Sequence, residues 1–120
     1  MLAVGERVLG GPEAQLVRLT TGLSGGLGGT KQEMCGALSS GVLLIGALHG
    51  RSKLSEGDQA ARALSALYRD RFLAEFGTTH CETLHAAVHS PEGSGSCSEL
   101  VGRAAHILWG ILSTDQLPEH

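Results

Sequence analysis

The chain has 120 residues, 18 of them glycine, about twice the roughly 7% of average proteins. Nine Lys plus Arg against twelve Asp plus Glu leave a net charge of −3, which gives no electrostatic footprint for nucleic acid or an anionic membrane. The glycines have no three-residue period, which excludes collagen, and only 18% of the residues are charged, which argues against wholesale disorder.

One domain, residues 1–120, fits this length and buries roughly two thirds of its unfolded surface. Its core must come from 19 leucines with Ala, Val and Ile, because the aromatics are only Tyr68, Phe72, Phe76 and Trp109. Residues 2–9 read as the end of a helix closed by Gly10-Gly11. Pro12 suits the first turn of the next helix, which carries Leu16, Val17 and Leu19 and stops at Thr20-Thr21-Gly22. Five glycines then crowd into residues 22–29. A third helix is predicted from Lys31 to about His49, ended by Gly50. A fourth runs from about Glu56 to Phe76, with Leu64, Tyr68, Phe72 and Phe76 in one stripe. A short helix over His80 to Val88, a loop at 90–95 and a last helix from Cys97 to about Ser113 complete the chain. Its inner face is Leu100, Ala104, Ile107, Leu108 and Ile111. No segment alternates with period two, so the predicted fold class is all-α, a small bundle of five to six helices. The longest uncharged apolar stretch, Met34 to Leu48, is 15 residues, short of the roughly 20 that span a membrane. No basic-then-apolar leader opens the sequence, so a reducing cytoplasm is the expected compartment.

Three cysteines carry the chemistry. Thr30-x-x-Glu33, Thr79-x-x-Glu82 and Ser96-x-x-Glu99 each fit the capping box, which places Cys97 at N1, Cys81 at N2 and Cys35 at N5 of their helices. Loose amides and the positive end of the helix dipole favour a thiolate there, most at Cys81 and Cys97. The plainer alternative is that such boxes are common and Cys is a small buried residue. There is no Cys-x-x-Cys pair, so a zinc ribbon and a thioredoxin motif are absent, and any site must be assembled from separate helices. His80 adjoins Cys81, and His85 and His89 lie four apart, a spacing that lets two imidazoles share a metal. Solvated or capping histidines are the plainer reading. His49 and His106 need no function.

The loop Gly22 to Lys31 resembles an anion cradle but lacks the Gly-Lys-Ser/Thr of a phosphate loop. Its other reading is a tight backbone crossing that uses positive φ, crowding the backbone around Cys35. Gly36, Ser40, Ala37, Gly41 and Gly46 give the third helix a small-residue surface, for core packing, for a homodimer or for a ligand slot beside Cys35.

The pattern Gly25-Gly26-Leu27-Gly28, Cys35-Gly36-Ala37, Leu43 to Arg51, Phe72-x-x-x-Phe76-Gly77-Thr78-x-x-Cys81 and Cys97 resembles a family of redox-active proteins defined by four cysteines, the second in a Cys-Gly-Ala-x-x-Gly motif. The resemblance covers about Pro12 to Leu112. It implies a small helical protein, often encoded near transporter genes, whose cysteines are redox-active or metal-binding, with no established reaction. The family's first cysteine would lie just ahead of the residues that open this sequence, and three thiols cannot hold two disulfides at once. Ser40 replaces the motif's last glycine, with Gly41 one place later.

The expected function is thiol redox chemistry at Cys35, Cys81 and Cys97, with Cys81 and Cys97 as the disulfide pair. The alternatives are a module binding zinc, iron or an iron-sulfur cluster through the same cysteines with His80 or His85, and a non-catalytic helical oligomer or partner-binding subunit. No required cofactor follows from the residues. No Ser/His/Asp set or paired carboxylate supports a hydrolase.

Overall fold

The structure, a computed structural model, describes residues 14–93 and 95–113. Across them the chain is all-α: α1 Ala14–Thr20, a 3-10 turn Thr21–Leu23, α2 Gly36–His49, α3 Gln59–Phe76, α4 Cys81–Val88 and α5 Cys97–Leu112. The helix expected over residues 2–9, and Pro12, lie outside the described residues. Helices α2, α3 and α5 pack against one another, and α4 lies against α5. No described helix is long and apolar enough to cross a membrane.

The apolar stripes expected of α3 and α5 form the core. Leu64, Tyr68 and Phe72 of α3 meet Leu100, Ala104, Leu108 and Ile111 of α5 and Leu38, Leu44 and Ile45 of α2 in one buried cluster. Burying each large side chain is worth about 1.5–3 kcal/mol, so this face holds the three helices together. Tyr68 and Phe72 stack edge to face at 6.2 Å, and Phe76 continues the row at 4.6 Å. Arg103 closes its outer end, with its guanidinium 5.0 Å above the Phe76 ring and paired with Glu75.

Gly41 fixes how closely α2 and α3 approach. A Cβ there would overlap the Tyr68 ring, so the missing side chain is the slot into which the tyrosine fits. The ring in turn places its hydroxyl where it donates to the Ala37 carbonyl at 2.9 Å. A buried phenol needs such a partner, and the bond anchors the first turn of α2. Core packing thus accounts for this part of the small-residue surface, whereas Gly46 faces open space.

Two helix starts differ from those the sequence predicts. Helix α2 begins at Gly36 rather than Lys31, because Lys31 has φ +62° and residues 31–35 pair with another segment. Helix α3 begins at Gln59 rather than Glu56. The Glu56 carboxylate instead accepts the Ser52 and Lys53 amides at 3.1 and 3.0 Å, closing the preceding turn. The α3 stop is as predicted, with Gly77 left-handed at φ +80° and its N–H on the Leu73 carbonyl at 2.8 Å.

These packings predict opposite outcomes at two glycines of one helix. Gly41→Ala should lower stability by about 1–3 kcal/mol through overpacking against Tyr68, whereas Gly46→Ala should leave it unchanged or raise it by up to about 1 kcal/mol. Urea denaturation of both variants measures the contrast.

Candidate functional site

The glycine cluster builds a turn that only glycine-rich sequence adopts cheaply. Gly25, Gly26, Gly28 and Gly29 all have left-handed φ, between +63° and +75°. Leu27 and Lys31 join them at +77° and +62°, a conformation costing roughly 1–2 kcal/mol for a residue with a Cβ. Internal hydrogen bonds offset that cost: Gly28 N–H to Gly22 at 2.7 Å, Lys31 N–H to Gly25 at 2.8 Å and Glu33 N–H to Gly26 at 3.2 Å. Thr30 belongs to this loop, not to a helix cap, because its hydroxyl donates back to the Gly26 and Leu27 carbonyls at 3.1 and 2.9 Å.

Beyond the loop, residues 33–35 pair antiparallel with residues 79–81 around an isolated bridge between Met34 and His80. Cys35 N–H donates to the Thr79 carbonyl at 2.8 Å, and Cys81 N–H donates to the Glu33 carbonyl at 2.9 Å. Two further bonds extend the contact, Glu82 N–H to Lys31 at 3.1 Å and the His80 imidazole to the Gln32 carbonyl at 3.0 Å. Alternation along paired strands puts Met34 and His80 on one face and Cys35 and Cys81 on the other. The two cysteines are then diagonal neighbours, whose Cα atoms typically lie about 7–8 Å apart.

All three cysteines sit at helix starts, but two of the three predicted capping boxes are absent. Ser96 does cap α5, accepting the Ser98 amide at 3.1 Å, and Cys97 is N1 as predicted. The N-cap of α4 is His80, not Thr79, so Cys81 is N1 rather than N2; the neighbouring Thr78 hydroxyl accepts the His80 amide at 3.1 Å. Cys35 is itself the N-cap of α2 rather than N5. The box pattern fails at residue 79 because the pairing claims the Cys81 and Glu82 amides, and at residue 30 because the Gly26 carbonyl within the loop takes the Glu33 amide.

The glycine loop presses on this site at two points. A Cβ on Gly26 would lie 2.5 Å from the Cys81 Cβ, 3.1 Å from its Sγ and 2.8 Å from the Lys31 Cα. A Cβ on Gly36 would lie 3.1 Å from the Leu23 carbonyl oxygen and the Ser24 Cα. Backbone therefore crowds the residue after Cys35, as the glycine density predicts, and also covers the Cys81 thiol. The Cys81 contact depends on chain pairing 50 residues away and has no sequence signal of its own.

Burial decides the acidity of the two covered thiols. It pushes Cys35 above the ordinary thiol range; the Ala37 and Leu38 amides pull the other way, and charge on Cys81 or Cys97 adds to the rise. Burial also raises Cys81, as do Cys97 and Glu82, while Lys31 lowers it. At this helix start burial therefore acts against the thiolate that the sequence leads one to expect of Cys81. Because a charge on one thiol shifts another, the three cysteines lie within electrostatic range of each other. Burial pushes the Tyr68 phenol up, and charge on Cys35 adds to the rise. All three are free thiols; Cys35 and Cys81 are half-buried and Cys97 is exposed.

His85 and His89 lie with ring centroids 4.2 Å apart, and His85 is held below the usual imidazole range by local desolvation, with Lys31 and His89 adding to the effect. Among the described residues no group of three or more Cys, His, Asp or Glu side chains could hold a metal ion. Two cavities lie nearby, one of about 240 Å³ beside Leu27 and Met34 and one of about 430 Å³ over Phe76, Leu84 and Leu100. Neither is lined by a cysteine.

Fold and site together define a small all-α protein with three thiols at three helix starts, Cys81 lying beneath a glycine loop and Cys97 exposed. The chain belongs to the family described as "Putative redox-active protein (C_GCAxxG_C_C)", whose model matches residues 1–111. No curated protein matches the chain, and no solved structure does.

Gly26→Ala should lower stability by about 1–2 kcal/mol from its left-handed φ alone, and should quicken alkylation of Cys81 as the loop shifts away. Equilibrium unfolding and mass-resolved alkylation read both effects. The upward shift of the Cys35 thiol gives a signed pH dependence. The fold favours the neutral thiol, so this contribution is complete below the unfolded value of about 8.5 and is lost as pH rises through the higher folded value. Stability of the parent protein should fall more steeply above about pH 9 than that of Cys35→Ala, measured as urea midpoints against pH.

Proposed function

We propose that this chain is a thiol redox protein whose Cys35 and Cys81 alternate between two thiols and one disulfide. The supporting observation is the Met34 to His80 pairing, which ties the two cysteines' own amides across the site at 2.8 and 2.9 Å. Diagonal neighbours need only a small closure to reach the 4.4–6.8 Å Cα separation of a disulfide. This pair is preferred to the Cys81 and Cys97 pair expected from helix starts, because the electrostatic reason for that choice is offset by burial at Cys81. Membership of a family described as redox-active agrees with the reading. Oxidation removes two electrons and two protons; with an acceptor disulfide these leave as two molecules of its thiol. A reducing cytoplasm is the compartment in which such a reversible pair has use.

The test is disulfide mapping after exposure of the reduced protein to a disulfide oxidant in a glutathione-range redox buffer. A Cys35 to Cys81 crosslink should accumulate, and Cys81→Ser should reduce intramolecular crosslinking by about tenfold or more. Recovery of all three thiols across the buffer range would overturn the reading.

A further inference from the structure

Cys97 differs from the other two cysteines in a way that assigns it a separate role. Gly26 lies over the Cys81 sulfur, close enough that one added carbon would sit 3.1 Å from it. Cys35 is half-buried, two residues before the Ala37 carbonyl on which the Tyr68 hydroxyl is fixed. A thiolate attacks in line with the S–S bond that it breaks, so an external disulfide needs open space in front of the attacking sulfur, and neither covered thiol offers it freely. Cys97 does. It is exposed at the first position of α5, whose cap is intact, and α5 packs on α4, whose first residue is Cys81.

We propose that Cys97 is the exchange thiol through which an external low-molecular-weight disulfide oxidises the covered Cys35 and Cys81 pair. This rests on the disulfide reading above. The Cys97 thiolate attacks one sulfur of the external disulfide, breaking its S–S bond and expelling one thiolate, to give a mixed disulfide on Cys97. Cys81 then attacks the Cys97 sulfur, the mixed disulfide breaks, and the second external thiolate leaves. Cys35 attacks the Cys81 sulfur, and Cys97 departs as a thiolate. The sum is one external disulfide reduced to two thiols and one Cys35 to Cys81 disulfide formed. Cys97 is regenerated, so an odd third cysteine is needed for the rate and not for the product.

The experiment uses 2-hydroxyethyl disulfide as the oxidant, with mass-resolved quenching. In single-cysteine proteins, the one retaining Cys97 should form the mixed disulfide about tenfold or more faster than the one retaining Cys81. In the otherwise intact chain, Cys97→Ser should slow Cys35 to Cys81 crosslinking by about tenfold, while the midpoint in a redox-buffer titration stays unchanged. That unchanged midpoint also shows that the variant folds and that its product pair is intact. Equal mixed-disulfide rates at Cys97 and Cys81, or crosslinking in Cys97→Ser at the parent rate, would overturn the role of Cys97. Absence of any crosslink in the parent protein would instead overturn the disulfide reading on which it rests.

Discussion

Everything proposed for this site depends on a short piece of backbone pairing in an otherwise helical protein. Residues 33–35 and 79–81 are each too short to be a strand, yet their two reciprocal N–H to C=O bonds join the start of α2 to the start of α4. These amides precede helices, where backbone donors ordinarily lack partners and borrow a side chain. Here each segment supplies the other's acceptor. Cys35 and Cys81 are thereby held in register by their own main chains, and their separation does not depend on side-chain packing, which a change of oxidation state would disturb. A flat pair with no third strand is marginal in water by itself. The helices on either side, fixed by the Tyr68 and Phe72 core, keep the two segments in place.

The glycine excess is the cost of bringing a third backbone onto this pairing. Four left-handed glycines, with Leu27 between them, fill a run of five positions and wind the chain so that Gly26 rests on Cys81, while the Gly25 and Gly26 carbonyls accept the Lys31 and Glu33 amides. Any side chain at Gly26 would collide with Cys81 and Lys31 at once. Leu27 and Lys31 take up the same strained conformation without being glycine, and Lys31 contributes the carbonyl that accepts the Glu82 amide. The strain is thus located where loop, bridge and α4 meet, consistent with strained backbone gathering at functional positions.

Much of the architecture was legible in the sequence, and the failures share one cause. The Leu64, Tyr68, Phe72 stripe and the Leu100 to Ile111 face follow from helical periodicity, and the structure buries them as expected. Gly77 ends α3 because a left-handed residue is required there. Local pattern failed between Lys31 and Cys35. Thr30-x-x-Glu33 satisfies the capping box in composition, but Glu33 and Cys35 spend their backbone groups on residues 79 and 81. A pairing across about 46 residues leaves no periodic mark in a three-residue segment. The crowding around the Cys35 helix was inferable from glycine density, whereas the contact of Gly26 with Cys81 required the tertiary fold.

The same tertiary contact changes what a helix start means for a cysteine. Position N1 offers amides and a dipole to a thiolate, and by that criterion Cys81 and Cys97 are equivalent. They are not equivalent in the fold, because one lies under a loop and the other faces solvent. Dipole stabilisation near a helix end amounts to about 1 kcal/mol or less at the surface. Burial of a charge acts the other way, and at Cys81 it pushes the thiol up even with Lys31 lowering it. Reactivity is therefore divided within one constellation. Burial pushes both covered thiols up, while Cys97 faces solvent and is the one with room to meet another molecule.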